Sequence, residues 1–141
     1  MSDPTLAVQS RAHAELFWHM PGKVMCLRIT GDYTLEHSRE INATLTDELD
    51  QCHDELVLLI DAAAMNRPYH FDQIRTSQTY RDHPRLKHIY VATKDRLVKL
   101  ALMIIFNISR AHLHVCDDVN AAEIQIDQHL QRRRSRPSSL S

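Results

Sequence analysis

The segment Arg96 to Arg110 constrains this chain more than any other. It is the most hydrophobic stretch of the sequence, and at about 100° per residue its Arg96, Lys99, Asn107 and Arg110 share one narrow helical stripe. Leu97, Val98, Leu100, Ala101, Leu102, Ile104, Ile105, Phe106 and Ile108 occupy nearly all the remaining circumference. A helix lying on one sheet buries an apolar stripe of about 100° or somewhat more. This helix therefore has apolar surface left over. Either it is the central helix of a small core or it carries a protein interface, for which Leu97, Leu102, Ile105 and Phe106 are the expected contact residues.

The surrounding chain alternates strands and helices. Ala14 to Met20 reads as a strand, Pro21-Gly22 as a turn, and Val24 to Thr30 as a second strand with Met25, Leu27 and Ile29 on one face. After Gly31, Thr34 is placed to cap an amphipathic helix running to about Gln51, with Ile41, Leu45, Leu49 and Cys52 along one side. Glu55 to Ile60 is a continuous apolar run of strand length, the pattern of a strand covered on both faces and the expected sheet centre. A loop from Asp61 to Pro68 leads to a weakly amphipathic helix, Tyr69 to Arg81, which Pro84 stops. His88 to Ala92 is the next strand, Thr93 or Asp95 caps the apolar helix, and His112 to Cys116 is the last strand. Asp118 then caps a final helix, Val119 to Leu130.

The order is β-β-α-β-α-β-α-β-α, which predicts a single mixed, mostly parallel α/β sheet entered through an antiparallel hairpin. One domain spans 14–130, between a flexible lead at 1–13 and a basic, disordered tail at 131–141 holding Arg132, Arg133, Arg134 and Arg136. Lys plus Arg (17) nearly balance Asp plus Glu (18), so no global field points to nucleic acid. An odd count of cysteines (3) without CxxC spacing fits a reducing compartment, and the first residues lack a basic start followed by an apolar run. A cytoplasmic protein is the expectation.

Gly31-Asp32-Tyr33-Thr34, Leu56 to Asp61, His88-Ile89-Tyr90-Val91-Ala92-Thr93 and Val115-Cys116-Asp117-Asp118-Val119-Asn120-Ala121-Ala122, together with the element order, resemble the SpoIIAA-like or STAS-like family of bacterial proteins over residues 14 to 130. The resemblance implies a regulatory, protein-binding domain. In anti-anti-sigma relatives a phosphorylatable serine after the central strand switches partner binding. Here Ala62-Ala63-Ala64-Met65-Asn66-Arg67-Pro68-Tyr69-His70 stands in that place, and no serine or threonine follows until Thr76 and Ser77, so the serine switch is missing.

Open α/β sheets bind ligands beyond the carboxyl ends of their strands, which makes Asp61, Asn66, Arg67, Tyr69 and His70 the candidate ligand or partner loop. Asp61 has a second reading, as an acceptor for loop amides. His112, His114 and Cys116 share one face of a strand and are of metal-ligand type, but successive members stand about 6 to 7 Å apart. The expectation is no metal and no cofactor. With Gly at 2 positions, neither in a phosphate-binding pattern, and no nucleophile elbow, the chain reads as non-enzymatic. A homodimeric interaction module with a further regulatory protein as partner is the leading reading. A carrier of a small apolar ligand or lipid is the alternative, and a histidine-based metalloenzyme a third.

Overall fold

The side chains from Leu56 to Ile60 are each only 1% exposed, so this run has no solvent-facing side. A pleated strand sends neighbouring side chains to opposite faces, and both faces must therefore be covered. The computed structural model, which describes residues 7–10, 14–67, 71–106 and 111–135, shows how. The strands are β1 (Ala7–Ser10), β2 (Ala14–Met20), β3 (Val24–Gly31), β4 (Leu56–Met65), β5 (Leu86–Ala92) and β6 (His112–Cys116), and they form one sheet in that order. β1, β2 and β3 pair antiparallel, while β3, β4, β5 and β6 run parallel.

Each parallel step moves one strand in the same direction, so right-handed crossovers set α1 (Leu35–Gln51), α2 (Phe71–Ser77) and α3 (Arg96–Ile105) on one face. There Ile41, Leu45, Leu49, Ile74, Val98, Leu102 and Ile105 pack on Leu27, Leu58, Ile60 and Val91. α4 (Val119–Ser135) follows β6 and crosses the other face, where Ala122 and Ile126 cover Cys26, Val57, Leu59 and Tyr90. The helices start where the caps predict: Thr34 Oγ1 accepts from His37 N at 3.1 Å, Asp95 Oδ1 from Leu97 N at 2.8 Å, and Asp118 Oδ1 from Ala121 N at 2.8 Å. Gly22 and Gly31 take φ of 77° and 71°, which suits the turns they occupy.

Several boundaries differ from the sequence reading. Ala7–Ser10, assigned to the lead, is an edge strand on β2; four residues with one β-branched side chain give too little pattern to read. β4 continues through Asp61 to Met65, because pairing with β3 persists through a bulge, Arg28 opposite Asp61 and Thr30 opposite Ala64. The expected helix 69–81 is split into α2 and a 3₁₀ turn at Thr79–Asp82, joined by the buried Gln78, whose Nε2 donates to the hydroxyls of Tyr33 (3.2 Å) and Tyr80 (3.0 Å). α4 runs on to Ser135, through the first part of the segment expected as tail, and 136–141 lie outside the described residues. Arg133 explains part of that extension, with Nη2 donating to Asp54 Oδ1 at 3.3 Å.

Leu58→Ala should cost about 3 kcal/mol in urea unfolding, as for other fully buried leucines. Ile124→Ala, at a side chain 59% exposed on α4, should stay within about 0.5 kcal/mol. Equal losses at the two positions would contradict the double coverage of β4.

Candidate functional site

α3 is held to the sheet by Val98, Ala101, Leu102, Ile105 and Phe106, all buried. This corrects the expected interface. Leu102, Ile105 and Phe106 are 2%, 1% and 3% exposed and belong to the core, because they lie on the arc that faces Leu58 and Val91. Of the expected contact residues only Leu97 lies on the surface. Beside it stand Leu100, Met103 and Ile104, and these four side chains keep 38 to 53% of their area in solvent. Helical spacing puts them on one continuous stripe opposite the buried arc. Sequence periodicity predicted leftover apolar surface but could not tell which arc the sheet would take.

The expected ligand loop is drawn into structural bonds. Asp61 lies inside β4 and on the α4 side of the sheet, where its Oδ2 accepts from Arg28 Nε at 3.2 Å. Its Oδ1 accepts from Ala63 N at 3.2 Å, within the bulge. The amide-acceptor reading of Asp61 is thus what the geometry shows. Asn66 Nδ2 donates to Asp32 Oδ1 at 2.9 Å, and Arg67 Nε stands 3.9 Å from Asp95, the cap of α3. Asn66 and Arg67 therefore tie the end of β4 to the turn after β3 and to the start of α3. Tyr69 and His70 lie outside the described residues.

A different cluster was not foreseen as a unit. His112, His114 and Cys116 do share one face of β6, turned toward α4, but they do not converge on a point. Among the described residues no group of three or more His, Cys, Asp or Glu is placed to hold a metal. Instead the parallel register sets His88 of β5 opposite His112. His88 Nδ1 lies 3.0 Å from His114 Nε2, so one ring donates and the other accepts. His129 from α4 closes over His88 with ring centroids 4.0 Å apart, and Tyr90 stacks on His114 at 4.3 Å. Burial first, then the neighbouring histidines and Arg133, hold the His88 pKa down at about 4; burial, then His112 and His129, lower that of His114. The alternation of histidines along β6 was legible, but the register with β5 that brings His88 to them was not.

The cysteines offer no nucleophile. Burial raises the Cys26 thiol to about 12, and Cys52 and Cys116 are shifted upward by the same cause. A reactive thiol needs the opposite shift.

No family model matches the sequence, and no curated protein matches it. Among solved structures, the chain is similar to a crystal structure of an uncharacterised DUF3478 family protein with a SpoIIAA-like fold from Shewanella loihica PV-4. The TM-score is 0.59 at 14% identity, covering 84% of this chain and 98% of that one. The fold is SpoIIAA-like. At that identity the likeness carries architecture alone, and the SpoIIAA-like sheet is the frame on which the α3 stripe and the histidine cluster are each placed.

The depressed His88 pKa links stability to pH. In the unfolded chain His88 returns to its ordinary 6.5, so the unfolded state binds more protons between 6.5 and about 4. Stability is present above that window and lost as pH falls through it. Thermal melts from pH 7.5 down to 4.5 should show Tm falling, with a shallower fall in His88→Gln. The same slope in both proteins would remove His88 from the cause.

Proposed function

We propose that this chain is a protein-interaction module of STAS-like type, non-enzymatic, that pairs with a second copy of itself through the outer side of α3. The observation that carries this reading is the exposed stripe of Leu97, Leu100, Met103 and Ile104. Contiguous exposed apolar surface on a soluble domain marks a contact site more often than not. The stripe also suits a two-fold axis. Leu97 and Met103 stand three residues on either side of Leu100, so an antiparallel pairing centred on Leu100 would set Leu97 of one copy against Met103 of the other. A formal charge of -1 leaves little repulsion between copies.

Other features favour binding over chemistry. No Ser or Thr occurs between Asp61 and Thr76, so partner exchange would proceed without the serine switch of the resembling regulators. The carrier alternative draws less support: concave sites of about 530 and 570 Å³ lie between α1 and α2 and beside α4, and neither is lined by α3. A cytoplasmic setting and a further regulatory partner belong to the same reading. No helix among the described residues is long and apolar enough to cross a membrane.

The test is size-exclusion chromatography with light scattering on paired variants. Leu100→Glu and Ile104→Glu should give folded monomers from a dimeric parent, with unchanged far-UV circular dichroism. Leu102→Glu, in the core, should instead lose the fold, since an unpaired charge buried there costs several kcal/mol. A parent that runs as a monomer at all concentrations, with the Glu variants indistinguishable from it, would sink the proposal.

A further inference from the structure

The histidine cluster opens into a concavity of about 570 Å³ between the C-terminal part of α4 and the amino ends of β4, β5 and β6. Volumes of this order hold small molecules. What distinguishes the site is its charge. Lys87 of β5 and Arg132 and Arg133 of α4 line it, with His88, His112 and His129 between them, against a single carboxylate, Glu55. In a chain whose charges otherwise nearly cancel, cations and proton acceptors are gathered in one hollow.

Backbone irregularity helps to build it. Between Leu56 and Val57 of β4 the pairing advances from Leu86 to His88, so Lys87 is an extra residue bulged out of β5. A bulge re-aims side chains that an unbroken pleat would send to opposite faces. Lys87 and His88 accordingly border the same hollow. Arg133 is partly engaged, 3.3 Å from Asp54 and 3.9 Å from Glu55, whereas Lys87 and Arg132 make no ion pair with a described residue.

We infer that this hollow is a binding site for a small phosphate-bearing anion, with Lys87, Arg132 and Arg133 supplying the charge and the histidine cluster responding to its presence. Flat or forked donors on cationic stems are what phosphate oxygens recognise. The paired rings add a proton-linked element. In the neutral pair, the donating ring can take a proton on its other nitrogen and keep the 3.0 Å bond, now charge-assisted. Only a second proton would set two N–H groups against each other. The groups facing the pair are Tyr90 on β5, His112 and Cys116 on β6, His129, Arg132 and Arg133 on α4, and Glu55 at the start of β4. Burial disfavours protonation of both rings, and the neighbouring histidines, with Arg133 beside His88, add to it, so without an anion the pair stays neutral. A bound anion reverses that balance, and binding should carry proton uptake.

Two measurements on the full chain test this. Calorimetric titration with inorganic pyrophosphate near pH 7 at low ionic strength should show saturable one-to-one binding, weakened about ten-fold or more in Lys87→Ala/Arg132→Ala. Both side chains are exposed, so that variant should fold normally. Histidine ring signals followed by NMR in sulfate, an anion whose own charge is constant over the range, should titrate at higher pH for His88 and His114 than in chloride. Flotation with phosphatidylcholine vesicles carrying phosphatidic acid then tells the source: capture assigns the phosphate to a lipid headgroup, and no capture beside pyrophosphate binding assigns it to a free compound. Absence of saturable binding, binding that survives the double variant, or identical histidine titrations in sulfate and chloride would each overturn the inference.

Discussion

The fold depends on covering β4 from both sides. Leu56, Leu58 and Ile60 face one way and Val57 and Leu59 the other, all buried. Nothing short of helices on both faces satisfies such a strand. The two faces are covered unequally, however. Three helices follow from the three parallel crossovers, and the opposite face receives α4 alone. Six strands at about 4.8 Å spacing span some 24 Å, while a helix covers about 10 Å. Where α4 does not reach, polar pairing takes over: Arg28 lies 5.1 Å above the Phe17 ring and bonds Asp61 at 3.2 Å. At the amino ends of β5 and β6 the histidines and Tyr90 stack beneath the last turns of α4.

The same geometry accounts for α3. It is the last of the crossover helices and packs over the strands next to the free edge at β6. α2 and the sheet cover its buried arc, and no further helix among the described residues lies beyond it. Lys99 bonds Asp117 after β6 and fixes the start of the helix there. A helix with apolar residues around most of its circumference, placed at the end of a layer, keeps part of that surface in water. The surplus apolar surface is thus a joint outcome of composition and position.

Much of the architecture was legible in the sequence. The apolar run at Leu56, the alternation from Val24, the caps at Thr34, Asp95 and Asp118, and the strand at His112 are local signals, and each element formed where its signal lay. The misses are non-local. β1 depends on a partner strand, the extension of β4 on the bulge opposite Thr30, and the full length of α4 on Arg133 reaching Asp54. The candidate site was less legible for the same reason. Asp61, Asn66 and Arg67, at the carboxyl end of β4, have their partners Arg28, Asp32 and Asp95 on other elements. The histidine hollow lies at the opposite ends, assembled by a register and a bulge that no single-strand pattern encodes.

Sedimentation equilibrium of the unaltered chain over a wide concentration range, at low and high salt, tests the central claim that α3 is a self-association face. The account predicts an average mass rising from 16.4 kDa toward twice that value as concentration increases, with little salt dependence, since the contact is apolar. A mass fixed at 16.4 kDa throughout would contradict it.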